Sequence, residues 1–250
     1  MFNVFMIKLD EPNADAHWAR LRAVAPDSIL IEGISGIHAA HAECVRRATT
    51  SHFFVVDADN WILDGFSFQL NFQARVDEVA IWRAKNPVNG LVYGNGGIKL
   101  FPANAFCGVN KLTLDMSTKL APRYRKIPVV ASEHRFNTTP LLAWRAAFRE
   151  CVKLASCLFD AASPTPRRLV TWCSIALATW CSIANAEKNS TWCLRGACDG
   201  RDYGAKYAAN PEKLKLINNY KWLESRFIKR YGIGIARPLS AAEEATILPT

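Results

Sequence analysis

No apolar run in this 250-residue chain approaches the length needed to cross a bilayer, about 20 residues for a helix. Met1 to Leu9 carry neither the basic start nor the small-residue cleavage site of a secretory signal, so a cytoplasmic protein without a membrane span is expected. No Cys-x-x-Cys pair occurs. The eight cysteines (Cys44, Cys107, Cys151, Cys157, Cys173, Cys181, Cys193 and Cys198) fit no zinc spacing. A chain that is 50% hydrophobic does not need disulfide staples, so reduced, mostly buried thiols are expected. Neither a P-loop nor a dinucleotide fingerprint is present, because no helix follows the glycines of Gly94-Asn95-Gly96-Gly97. No nucleic-acid reader motif appears either.

What the chain does have is a short stretch with chemistry in it, Ser51 to Gly65 (SHFFVVDADNWILDG). Phe53 to Val56 is an apolar, β-branched and aromatic run of the kind buried on both faces of a largely parallel sheet. It stops at Asp57-Ala58-Asp59, two carboxylates at the carboxyl end of a strand, where open α/β sheets place their ligands. Residues two apart in an extended chain point the same way. Two anions held that close call for a divalent cation, or their repulsion raises one pKa. An isolated Asp-x-Asp is weak evidence, since about one occurs by chance in a chain of this length. The apolar strand before it, the Trp61-Ile62-Leu63 return and the glycine-rich segment downstream raise its weight as a metal site.

The pattern around that stretch is strand, helix, strand, helix, strand: Phe2 to Leu9, Asp15 to Val24, Ser28 to Ile34, Ile37 to Ala48 and Phe53 to Val56. This predicts a doubly wound α/β fold with parallel strands and right-handed crossovers. Beyond the aspartates, Trp61 to Phe72 reads as irregular. Val76 to Arg83, Leu91 to Tyr93, Ile98 to Phe101 and Pro128 to Ser132 read as strands. The spacing predicts helices over Leu141 to Phe159, from Leu169 onward, and over Pro211 to Tyr231, the last basic and amphipathic. Thr171-Trp172-Cys173 is echoed at Thr179 and again at Thr191, which reads as core packing of Trp and Cys rather than a cofactor site.

The formal charge of +9 is uneven. Residues 1–60 hold five basic and eight acidic side chains, whereas 117–153 hold eight and two, and 201–237 hold nine and three. Such basic segments suit phosphates of a nucleic acid, and equally a solvated surface.

The segments GIHAAHAECVRRATTSHFFVVDADN and NPVNGLVYGNGGIKLFP, behind a strand–helix–strand start, resemble nucleotide-sugar-dependent glycosyltransferases of the GT-A fold. Within that class the chain is most similar to small bacteriophage enzymes, some of which glycosylate hydroxymethylated pyrimidines in DNA. The likeness covers roughly residues 1–160, with FNTTPLLAWRAAFRECVKL and, loosely, Gly196 to Gly204 beyond the first part. It implies a GT-A-like, mostly parallel sheet with a helical C-terminal region. The nucleotide-sugar-binding α/β domain would span residues 1–135, and a mainly helical region, 136–250, would pack on the same core.

The resemblance also implies site roles. Asp57 and Asp59 would hold Mn2+ or Mg2+ bridging the donor's phosphates, with Asp59 the direct ligand. Asp10 and Glu11 would lie near the base or ribose of the donor, a UDP-sugar by preference. Gly36, His38 and His41 would line the same side, although both histidines also suit a half-buried helix face. Gly96 and Gly97 would flank the sugar or the acceptor, here double-stranded DNA. Glu133, His134 and Asp199 are candidates for catalytic work, the first two equally suited to capping and surface roles. The rivals are a sugar-nucleotide nucleotidyltransferase, a haloacid-dehalogenase-like phosphatase and a non-catalytic nucleic-acid-binding module. Leu9-Asp10-Glu11-Pro12 lacks the glycines the first would need, and Asn60-Trp61 after the aspartates departs from the second.

Overall fold

The computed structural model describes residues 1–94, 97–106, 122–156 and 166–232, with side chains from residue 172 onward in the last stretch. The chain forms two compact units: Met1–Asn86 with Val92–Arg135, and Pro87–Leu91 with Phe136–Thr250.

In the first unit the central run behaves as its composition requires. Strand β3 (His52–Asp57) is buried from His52 to Val56. It lies beside β1 (Asn3–Lys8), which in turn pairs with β2 (Ile29–Glu32), all parallel. The other strands are β4 (Asn60–Ile62), β5 (Glu78–Lys85), β6 (Val92–Tyr93), β7 (Lys99–Pro102) and β8 (Arg123–His134). They make an eight-stranded sheet ordered β2-β1-β3-β7-β5-β8-β4, with β6 paired to β5. The pairings set β1, β2, β3, β5 and β8 in one direction and β4, β6 and β7 in the other. This is the mixed α/β, mostly parallel arrangement expected from the sequence.

Alternation along β3 divides the core in two. Phe54 and Val56 join Val4, Met6 and Leu100 under Ala14 and Leu21 of helix α1 (Ala14–Val24). Phe53 and Val55 join Phe5 and Phe101 under Ala40 and Cys44 of helix α2 (Ile37–Arg47). One helix therefore covers each face, as double winding demands.

Three strands differ from expectation. β5 begins two residues later than the alternation suggested. β8 is 12 residues long rather than the short segment from Pro128, because its first four residues, Arg-Tyr-Arg-Lys, place charged side chains on a pairing strand. Its register against β5 slips where Ile127 opposes Trp82 but Val130 opposes Arg83. Pro128, which has no N–H to give, falls inside that slip. β4 was not legible as a strand at all. Three residues give no periodicity, and its existence depends on β8, 70 residues away in sequence, supplying the partner (Ile62 opposite Ser132).

The second unit is helical: α3 (Pro140–Ala155), α4 (Pro166–Trp180), α5 (Ser190–Lys206), α6 (Pro211–Lys215) and α7 (Tyr220–Tyr231). Thr139 caps α3 by accepting from the Leu142 amide at 3.2 Å, with Pro140 in the first turn. α5 presents Gly196, Gly200 and Gly204, one helical turn apart, to the backbone of Trp144, Phe148 and Val152 on α3. A Cβ at those glycines would meet the carbonyl oxygens at 2.3, 2.3 and 2.7 Å. The stretch from Pro211 is not one helix. A 3-10 turn over Leu216–Asn218 interrupts it, and Asn219 starts α7 by accepting from the Trp222 amide at 3.0 Å. Asparagine favours a cap over a helix interior, so two adjacent asparagines were the available signal. Trp180 and Trp192 of the repeated motif are buried, while Trp172 is 38% exposed.

Candidate active site

The turn after β3 is held from three sides. β1 places Ile7 opposite Asp57, and the Ile7 carbonyl accepts from the Ala58 amide at 3.0 Å. His17 of α1, itself buried, donates from Nδ1 to the Ala58 carbonyl at 2.8 Å, with its ring edge-on to Trp61. The Arg135 amide donates to the Asp59 carbonyl at 2.7 Å. Asn13, just before α1, donates its side-chain amide to the Arg135 carbonyl at 2.9 Å, which ties the helix start to the end of β8. The two aspartates thus stand on a backbone fixed by long-range hydrogen bonds.

Their side chains belong to one charged group. Asp57 Oδ2 accepts from Lys99 Nζ at 3.4 Å, and Asp59 Oδ2 accepts from His134 Nε2 at 2.9 Å. Asp59 Oδ1 accepts from the Asn60 side chain at 3.2 Å, and Asn60, fully buried, accepts in turn from Ser132 Oγ at 2.7 Å. Burial works to raise the Asp59 carboxyl, yet the His134 imidazole beside it holds it below the usual carboxylate range. Burial likewise opposes charge on His134, and Asp59 with Asp57 overcomes it and raises the imidazole. Glu11 folds back to accept from the Leu9 amide at 2.8 Å. Its carboxyl is raised, first by burial and then by the negative charges of Asp59 and Asp57. Glu11, Asp57, Asp59, Lys99 and His134 therefore form a single electrostatic cluster at the carboxyl end of the parallel strands.

Other candidate residues go elsewhere. Glu133 and His134 are neighbours on a strand and so face opposite ways. His134 reaches Asp59, whereas Glu133 accepts from Arg135 Nε at 2.7 Å and lies 3.9 Å from Lys85 Nζ. His41 is buried in the core between α2 and the sheet. It is stacked on Phe106, edge-on to Phe101, and donates to the Ile37 carbonyl at 2.7 Å. Burial pushes its pKa down to about 4. His38 is half-buried at the start of α2, and Asp10 and Gly36 are exposed, Gly36 with a left-handed φ of 97° before the helix. Gly97 is required by packing: a Cβ there would lie 2.1 Å from the Trp82 carbonyl oxygen. Gly96 lies outside the described residues.

Asp199 belongs to the second unit. It is buried, with Oδ2 accepting from Trp144 Nε1 at 2.9 Å and from the Tyr231 hydroxyl, and Oδ1 lying 2.9 Å from Arg230. Those contacts occupy both of its oxygens.

Sequence reasoning passed over His17, Lys99, Asn13 and Asn60. For Lys99 a signal existed: a lysine inside a short apolar strand needs a buried anion to face. For the others only the fold shows the partner.

Among the described residues no three His, Cys, Asp or Glu side chains converge closely enough to cage a metal ion. Two aspartates without a cage suit a hard cation such as Mg2+, which is commonly held by one or two carboxylates with waters and substrate phosphates completing its shell.

No family model and no curated protein matches the chain. Among solved structures it is similar to the mannosyltransferase PcManGT from Pyrobaculum calidifontis in complex with GDP-Man and Mn2+. That likeness is 13% in sequence identity, covers 93% of this chain and 88% of that one, and has a TM-score of 0.44.

Proposed function

We propose that this protein is a metal-dependent glycosyltransferase that moves a sugar from a nucleoside-diphosphate donor to an acceptor hydroxyl. The observation that carries the proposal is the placement of Asp57 and Asp59 in one charged cluster at the carboxyl end of the central parallel strand. Asp57 and Asp59 are the residues to hold Mn2+ or Mg2+. When bound, that cation supplies a Lewis acid that stabilises charge developing on the departing diphosphate.

The chain's own residues divide the remaining work. His134 donates to Asp59 and orients it, as groups behind metal ligands do. His17 and the Arg135 amide fix the carbonyls between the two carboxylates. To Glu11, half-buried beside them, we assign a contact with the base or ribose of the donor.

The turn after β1 argues against the nucleotidyltransferase reading. Such an enzyme needs backbone amides there to receive phosphate, whereas here the Leu9 amide is taken by the Glu11 carboxylate at 2.8 Å. For the acceptor, we extend the proposal to hydroxymethylated bases of duplex DNA, on the sequence resemblance and the +9 charge. Part of that charge is used internally: Arg123 pairs with Asp77, Arg125 with Glu78 and Arg230 with Asp199. Lys213, Lys221 and Lys229 are exposed.

The test is a melting-temperature screen of UDP, GDP and their sugars with and without Mn2+, on the wild type and on Asp59→Ala. A nucleoside diphosphate should raise the melting point in a Mn2+-dependent way, and Asp59→Ala should remove that shift while melting cooperatively. An equal shift in chelator, or in the variant, would remove the basis for the assignment.

A further inference from the structure

The candidate site already contains a cation of its own. Lys99 lies on β7 between β3 and β5, opposite Val55 on one side and Ile81 on the other. Its side chain is only 14% exposed, which is unfavourable for an ammonium unless anions surround it. The anions are there: Asp57 Oδ2 at 3.4 Å, with Asp59 close enough to feel its charge. The Gly97 carbonyl accepts a second bond at 3.1 Å. An ammonium carries three donors, and the third has no acceptor among the described residues. The bond to Asp57 is long for a charge-assisted contact, which ordinarily lies near 2.8 Å.

A lysine in that position opposes the approach of a divalent cation to Asp57, because it cancels part of the carboxylate's field and repels the cation directly. The conflict disappears once a diphosphate is present. Its negative charge attracts both cations, and its oxygens can satisfy the ammonium's unused donor.

We propose that Lys99 is a positioning residue that holds Asp57 in the absence of ligand, yields it to the divalent cation, and turns its ammonium to a phosphate oxygen of the donor. This rests on the reading of Asp57 and Asp59 as the cation site. Cation and nucleotide then bind cooperatively, since the diphosphate relieves the competition between ammonium and metal.

The consequence is a pair of effects of opposite sign in one variant. Lys99→Met keeps most of the stem and removes the charge. Mn2+ binding without nucleotide, followed by the loss of the free-ion electron spin resonance signal, should become tighter by about tenfold or more. Binding of UDP or GDP at saturating Mn2+ should become weaker by about tenfold or more. Lys99→Arg should keep the wild-type Mn2+ affinity. Lys99→Gln, which can still donate to the Gly97 carbonyl, serves as a second neutral variant should Lys99→Met melt early.

For folded protein the results divide three ways. Tighter Mn2+ with weaker diphosphate supports the role. With the wild type binding Mn2+, either Mn2+ affinity that is not tightened or diphosphate affinity that is not weakened in the neutral variants overturns it and leaves the cation site standing. No Mn2+ binding to the wild type, with or without UDP and GDP, overturns both. A lysine that merely neutralised Asp57 for folding would not tighten metal binding while loosening diphosphate.

Discussion

Nε2 of His134 lies 2.9 Å from Oδ2 of Asp59, across 75 residues of sequence. Two short pieces of pairing bring them together: β4 turns back directly after Asp59, and β8 sets His134 opposite Asn60. The imidazole on Oδ2 and the Asn60 amide on Oδ1 thereby fix the orientation of the Asp59 carboxylate, each oxygen keeping a second lone pair for a cation. Replacing a group behind a metal ligand commonly weakens the metal by about 10- to 100-fold. His134→Ala should therefore lower Mn2+ affinity by an amount in that range and reduce donor turnover at limiting Mn2+. Excess Mn2+ should restore much of the turnover, which a titration of rate against metal will read.

Much of the first unit was legible before any coordinates. The Phe53 to Val56 run needs a partner on each face, and the two helices that precede it in sequence supply them. The aspartates were legible for the same reason, because a buried strand must end somewhere polar. What was not legible depends on distant pairing. His134 and Glu133 looked equivalent, and only the phase of β8 sends one to Asp59 and the other to Arg135. The resemblance put His41 beside the donor, with a half-buried helix face as the alternative, and helical phase turns it inward against Phe101 and Phe106. Asp199 lay in a stretch expected to be helical, and only the packing of Gly196, Gly200 and Gly204 on the backbone of α3 shows that it faces Trp144.

That close packing gives a stability prediction. At Gly200 a Cβ would meet the Phe148 carbonyl oxygen at 2.3 Å and its Cα at 2.9 Å, both backbone atoms that move only if α3 and α5 separate. Gly200→Ala gains helix propensity, yet the overpacking should outweigh it and lower the stability by at least about 2 kcal/mol. Gly232→Ala, where φ is 62° and the space around the Cβ position is open, should lose only about 1 kcal/mol. Urea unfolding followed by tryptophan fluorescence compares the two.

His41 predicts a pH dependence. Its folded pKa is held near 4, against an ordinary imidazole value of 6.5, because burial disfavours the charged ring. Unfolded chains therefore take up a proton at this site before folded ones do, and stability falls as the pH drops. The contribution is fully present above pH 6.5 and is lost progressively down to about pH 4, about 3 kcal/mol in all. His41→Leu should flatten that part of the stability–pH curve. The check is urea midpoints between pH 7 and 4.5, where the wild type should lose ground to the variant on acidification.

Asp199 separates a structural role from a chemical one. Its carboxylate receives the indole N–H of Trp144 from α3, the hydroxyl of Tyr231 from α7 and the guanidinium of Arg230, so one buried side chain on α5 joins three helices. The Tyr231 hydroxyl holds its proton more tightly than usual, first because it is buried and then because Asp199 lies beside it. Asp199→Ala strands the Trp144 and Tyr231 donors, each of which loses a charged acceptor, while Arg230, 53% exposed, can return to water. The expected loss is about 2–3 kcal/mol, dominated by the buried Trp144 indole and the half-buried Tyr231 hydroxyl rather than by the ion pair. Asn at the same position keeps one acceptor oxygen and should recover part of that loss. If the role is structural, both variants will melt earlier in that order while turnover per folded molecule stays close to wild type. A folded, stable Asp199→Asn protein that has lost turnover would instead return this residue to the chemistry.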